Sequence, residues 1–232
     1  MEHKYNCLIC GGNLVYKEKS TEYKCFYCGE THVSQAICEN GHYVCDGCHA
    51  KGAYDIIQEY CVKSESISPL HIATDLMRHP AIKMHGPEHH FLVPAVLISA
   101  YYNAIGKKED KEGKIKEAAK RSKNVLGGFC GFYGSCGAAV GTGIFMSIIT
   151  GATPLSKEPW KFSNFVTAKS LNAIAENGGP RCCKRDSFLA IEEASKYLAE
   201  TLNVNLVNDK VSCSFSQFNP QCIKEECIFY RK

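Results

Sequence analysis

The chemistry open to this chain is carried by thiols and imidazoles, with 15 cysteines and 9 histidines in 232 residues. Seven of the cysteines fall in the first 48 residues, as Cys7-x2-Cys10, Cys25-x2-Cys28 and Cys38-x3-His42-x2-Cys45-x2-Cys48. Together with His42 they make eight ligands in four pairs, the complement of two tetrahedral zinc ions. From Cys25 onward the spacing matches a RING-like cross-brace without its closing pair, which Cys7 and Cys10 can replace. One ion would then sit on Cys25, Cys28, Cys45 and Cys48, the other on Cys7, Cys10, Cys38 and His42. In the sequential alternative a zinc ribbon on Cys7, Cys10, Cys25 and Cys28 precedes a Cys3His site. Spacing leaves both pairings open.

The other eight cysteines lie in a different setting, beside glycines and cations. A first cluster, His85-Gly-Pro-Glu88-His89-His90, contains the inverted zinc-peptidase pattern His-x2-Glu-His. That pattern needs both histidines on one helical face, and Pro87 starts the helix beyond His85. His85, Glu88, His89 and His90 are therefore read as groups that move protons or touch a metal or substrate. A second cluster runs from Gly127 to Gly143 and holds Cys130 and Cys136. Cys136 is expected in the first turn of a helix, with Ser135 as N-cap, where free amides and the dipole stabilise a thiolate. In the third, Gly178-Gly-Pro-Arg181-Cys182-Cys183-Lys184-Arg185-Asp186, three cations flank two thiols. They are expected to lower the thiol pKa and to anchor an anion. Cys213, Cys222 and Cys227 follow in the tail. They could close a third metal site or fold back onto one of the other clusters.

These residues need elements to hold them. Residues 1–50 have too little aliphatic content for a core of their own, so metal must stabilise them. A helical connector over 51–63 and a Ser-rich linker complete the stretch to residue 67. The remainder, 68–232, reads as a mainly α-helical domain. Helices are expected at 71–77, 88–104, 109–124, 136–150, 164–177 and 186–203, the third with a solvated, mixed-charge face. The helix at 88–104 is apolar all round, and Gly137 and Gly141 on another would let a second backbone come close. The tail from residue 204 reads as strand-like or irregular.

A formal charge of +3 and the absence of a basic-aromatic run argue against a nucleic-acid partner. No apolar N-terminal segment marks secretion, and the apolar stretches at 91–101 and 138–149 are too short to span a bilayer. So many thiols in such a chain point to metals in the cytosol, not to disulfides.

The segments MHGPEHHFLVP, CGFYGSCGAAVGTGI and GGPRCCKRDS, with Cys213, Cys222 and Cys227, resemble an uncharacterised cysteine-rich family of anaerobic archaea and bacteria. Its members are sometimes fused to methyltransferase or radical-SAM domains. The resemblance covers about residues 68–232 and implies anaerobic redox or cofactor chemistry. The stretch from Ser135 to Gly143, with Thr153-Pro154, is also similar to the Gly-Cys helix start of iron–sulfur serine dehydratases and cysteine desulfidases. The resulting expectation is an enzyme of sulfur or redox metabolism. Cys130, Cys136, Cys182 and Cys183 would hold a [4Fe–4S] cluster or act as redox thiols. Arg181, Lys184 and Arg185 would bind a small anionic or thiol-containing substrate. The alternative is a zinc-stabilised adaptor that delivers metal or sulfur, or docks on a methyltransferase-like partner through the zinc module.

Overall fold

The computed structural model describes residues 7–45, 48 and 52–231. The N-terminal region is built on one antiparallel hairpin, β1 (Leu14–Lys24) and β2 (Thr31–Cys38). Its pairing runs from Lys24 opposite Thr31 to Leu14 opposite Cys38, with an irregularity between Tyr16 and Thr21. Nearly all of β1 is exposed on both faces, so the hairpin has no apolar layer to rest on. What is buried around it is sulfur: Cys7, Cys25, Cys28, Cys38, Cys45 and Cys48 are each at most 5% exposed.

Helices follow: α1 (Ala53–Lys63), α2 (Pro69–Met77), α3 (Glu88–Ala104), α4 (Lys111–Ser122), a short α5 (Phe129–Phe132), α6 (Gly137–Thr150), α7 (Glu158–Glu176) and α8 (Cys183–Leu202). A mainly helical body behind a small cysteine-rich module is the architecture read from the sequence. The exposed hairpin is an addition. α3 is central, touched by α1, α2, α4, α6 and α8. That placement is why it is apolar all round: Phe91, Leu92, Val93, Val96, Leu97 and Ile98 are all fully buried. α6 crosses α3 closely because Gly141 has no side chain. A Cβ there would lie 2.8 Å from Cδ of Pro94 and 3.2 Å from the His90 carbonyl.

Several local expectations shift. Cys136, not Ser135, is the N-cap of α6, and the Ser135 amide turns back to the Phe129 carbonyl. α8 starts three residues before Asp186, with Cys182 as its N-cap and Cys183 as its first residue. The charge run is mostly solvated, but Lys111 is only 3% exposed. Its Nζ donates to Asn103 Oδ1 at 3.0 Å and to the Ser64 carbonyl at 2.6 Å. Asn103 Nδ2 donates to the carbonyls of Ser64 and Ser66, and the Val207 amide to that of Ile67. The Ser-rich connection is therefore held on both sides.

The N-terminal module seats on α1 and the end of α2. The rings of Tyr27 and His79 meet edge-on at 4.4 Å, Phe26 stacks near Tyr60, and His79 Nε2 lies 3.1 Å from the Cys48 carbonyl. Lys63 Nζ donates to the Cys28 carbonyl. One apolar core runs from the module's cysteines to Phe229. After Leu202 the chain is irregular, with two single 3₁₀ turns, and closes on itself where the Cys213 amide donates to the Phe229 carbonyl at 2.7 Å. Phe229 in turn packs on Phe188 of α8. No described helix is long and apolar enough to cross a membrane.

Candidate metal centres

The hairpin decides the pairing of the N-terminal ligands. Cys7 and Cys10 form a knuckle just before β1, and Cys25 and Cys28 a second knuckle just after it. Eleven strand residues span roughly 35 Å, so these two knuckles cannot share an ion and a zinc ribbon is excluded. The antiparallel register sets Cys38 beside Leu14, at the first knuckle. Ligand atoms of Cys7, Cys10, Cys38 and His42 all lie within 4.8 Å of one another, as do those of Cys25, Cys28, Cys45 and Cys48. This is the cross-brace pairing.

Both groups fit a tetrahedral ion. Zinc at about 2.3 Å from each thiolate sets its sulfurs about 3.8 Å apart. Here Cys10 and Cys38 are 3.5 Å apart, and Cys28 and Cys45 are 3.9 Å apart. His42 Nδ1 is buried with no hydrogen-bond partner, as befits a nitrogen whose partner is a cation. Amides two residues on donate to Cys7, Cys10 and Cys38, from Ile9, Gly12 and Asn40 at 3.3 to 3.4 Å. The Cys45 amide donates likewise to Cys25 Sγ. Burial pushes the Cys7 and Cys28 thiols up to about 11. At Cys10, weak burial is outweighed by donors from Asn40 and Gly12, and the thiol falls to about 6.

The helical region brings two of its motifs and the tail together. Cys182, Cys213, Cys222 and Cys227 line one partly enclosed cavity, with Met84, Phe188, Asn219 and Phe229. The tail thus folds back onto the Cys182-Cys183 motif, and onto Cys182 in particular. The first motif reaches the same place: His85 Nε2 lies 3.2 Å from Asn219 Oδ1, and the Gly86 amide faces the Cys183 thiol. Cys130, Cys136 and Cys183 do not line the cavity. Cys130 lies on α5, and Cys136 caps α6 within the field of Asp186 and Cys130.

Three histidines of the first motif share one arrangement. His85 Nε2 faces Asn219 Oδ1, His89 Nδ1 the Gly86 carbonyl at 3.1 Å, and His90 Nδ1 the Val125 carbonyl at 2.9 Å. In a neutral ring the nitrogen next to an oxygen acceptor carries the proton and leaves a lone pair on the other. For His85 Nδ1 and His89 Nε2 that lone pair is buried without any hydrogen-bond partner. Burial, with Lys184 nearby, pushes His89 down to about 3, and burial also lowers His85. His85 does lie outside α3, and no ligand group within 4.8 Å forms on His85, Glu88 and His89 among the described residues. Glu88 Oε1 instead accepts from the Lys83 amide at 2.9 Å.

The expected activation of the other thiols is reversed. Burial outweighs the helix amides at Cys136 and pushes its thiol up to about 12; Cys183 rises to about 11 and Cys182 also rises. The neighbouring cations are turned elsewhere. Lys184 Nζ donates to the Met77 and Ile82 carbonyls, and lies 4.4 Å from the Phe215 ring. Arg185 donates to the Gly178 and Pro180 carbonyls and pairs with Asp186 at 3.3 Å. Burial nonetheless holds Asp186 up at about 6. Arg181 is left as the exposed cation of the motif. Asn219 and Asp186 are the polar groups that residue types alone did not single out. A lone Asn in an irregular tail carries no spacing signal.

Fold and sites define a cysteine-rich helical protein with two preformed metal-ligand clusters at its N-terminus and a separate thiol cavity between α8 and the tail. The chain belongs to a family of unknown function, DUF5714, whose model matches residues 57–230. No curated relative and no solved structure matches the chain.

Proposed function

We propose that this chain is a metal-dependent enzyme of sulfur or redox and cofactor metabolism. Two zinc ions would serve structure in the N-terminal module, and an iron–sulfur cluster would serve chemistry in the helical region. The observation that carries this reading is the pair of bare, buried imidazole nitrogens, His85 Nδ1 and His89 Nε2, in a motif that meets the wall of the thiol cavity where His85 contacts Asn219. Leaving such groups unsatisfied costs about 1–3 kcal/mol each, a cost that packing alone gives no reason to carry. A neutral imidazole with one nitrogen fixed as donor is set to accept a proton or ligand at the other. His85, His89 and His90 would move protons, and Arg181, exposed at the edge of the motif, would meet a small anionic or thiol-containing substrate. A cytoplasmic, anaerobic setting, and fusion of relatives to methyltransferase or radical-SAM domains, belong to the same proposal.

A second reading, an accessory protein that docks on a partner, draws on exposed apolar side chains. Phe132, Tyr133 and Leu155 are 86%, 74% and 94% exposed. Anaerobic purification followed by zinc, iron and acid-labile sulfide analysis separates the two. The enzyme reading expects iron and sulfide alongside two zincs. Two zincs with neither iron nor sulfide would favour the accessory protein.

A further inference from the structure

We infer that Cys182, Cys213, Cys222 and Cys227 are the four ligands of a [4Fe–4S] cluster seated between the N-terminus of α8 and the tail. The inference rests on the metalloenzyme reading above and replaces Cys130, Cys136 and Cys183 as ligands of its cluster.

Four observations carry it. The first is convergence: four thiols from three separate stretches line one cavity that is otherwise walled mainly by Met84, Phe188 and Phe229. The second is the amide pattern. The Phe215 amide donates to Cys213 Sγ and the Lys224 amide to Cys222 Sγ, each two residues on and each at 3.4 Å. That is the geometry found at Cys7, Cys10 and Cys38 in the N-terminal clusters. Such donors stabilise a metal-bound thiolate. Lys224 adopts φ +47°, an uncommon conformation for a residue with a Cβ, and this is the turn that aims its amide at Cys222.

The third is spacing. No three of these four sulfurs lie within 4.8 Å of one another, although the thiols of both four-ligand clusters in the N-terminal module do. A single zinc needs all four about 3.8 Å apart. A cubane takes one thiolate per iron and keeps the sulfurs apart. The fourth is charge. Four thiolates on a dicationic cubane core leave a net negative charge, and Arg185, only 4% exposed and also paired with Asp186, lines the same cavity. With every iron bound by cysteine, none is left open as a Lewis acid. The His85–Asn219 contact at the cavity edge belongs to the cluster's surroundings and not to its ligands.

The test uses the full chain, prepared anaerobically and reconstituted with ferrous iron and sulfide. Cys182→Ser, Cys213→Ser, Cys222→Ser and Cys227→Ser are each expected to lower labile sulfide and visible absorbance at least fivefold. Cys130→Ser, Cys136→Ser and Cys183→Ser should stay near the wild-type level. Two retained zincs and an unchanged far-ultraviolet dichroism verify the fold of each variant. Mössbauer spectra of the wild type, which do not depend on any variant folding, should show all irons with sulfur-only ligation. A cluster lost in the second set of variants and kept in the first overturns this ligand assignment while leaving the metalloenzyme reading intact. An iron with an oxygen or nitrogen ligand does the same. A third zinc in place of iron, or no sulfide at all, overturns both.

Discussion

The N-terminal module and the C-terminal tail both rely on cysteine, yet they present it differently. In the module the thiols are already gathered to the spacing of a single ion, around a hairpin with no apolar layer of its own. In the tail they stand farther apart around a cavity, backed by Phe188 and Phe229 of the common core. In the first arrangement a metal ion would tie together the ends of a hairpin whose strands lack an apolar layer, with the contacts to α1 and α2 holding only its knuckle end. The second leaves the fold to the helices, so that its thiols would be free to serve the proposed cluster. On the proposed reading, metal dependence of structure and metal dependence of chemistry would be separated along the chain.

The largest effect expected from this contrast is on the module. Structural zinc contributes on the order of 10 kcal/mol to such a domain. Cys28→Ser should therefore lose zinc from the tetracysteine site and make the hairpin sensitive to protease, while the helical dichroism survives. Helical melting together with the module would break the contrast. By comparison Cys222→Ser should empty the cavity of iron and sulfide while moving the melting temperature of the metal-free protein little, as scanning calorimetry would report. A collapse of the metal-free fold would place that thiol among the structural ones.

A pH experiment sharpens the imidazole half of the account. His89 in the folded chain holds its proton only near pH 3, well below the ordinary value near 6.5. The unfolded chain therefore binds the extra proton first. Stability from this group is full above pH 6.5 and is lost as pH falls toward 3, by roughly 1.4 kcal/mol per unit. Asp186, held at about 6, acts with the opposite sign between pH 6 and 4. His89→Phe isolates the histidine: denaturant melts at several pH values should show a slope shallower by one proton. The smallest effect is steric. A Cβ on Gly137 would lie 2.1 Å from the His90 ring, so Gly137→Ala should cost about 1–3 kcal/mol in urea titrations.

Much of this organisation is readable in the residues, for identifiable reasons. Ligand pairs two apart announce a knuckle locally, so all eight N-terminal ligands stand out. Their pairing depends on the antiparallel register of an exposed hairpin, which alternation of apolar residues does not signal in LVYKEKSTEYK. The helices follow from periodicity, and Pro87 correctly separates His85 from α3. The grouping of Cys182 with the tail does not follow, since it needs contacts about thirty to forty-five residues apart through an irregular segment. The reversal at Cys136 and Cys183 has a similar origin. Helix amides and neighbouring cations are visible in sequence, whereas the burial that overrides them, and the carbonyls that occupy Lys184 and Arg185, arise only on packing.

The central claim, that one chain holds two kinds of metal on two kinds of thiol geometry, is tested most directly by native mass spectrometry of the anaerobic full-length protein. The account predicts a mass increment of two zincs plus one cluster of about four irons and four sulfides. A chain carrying three zincs, or two zincs and nothing more, would contradict it.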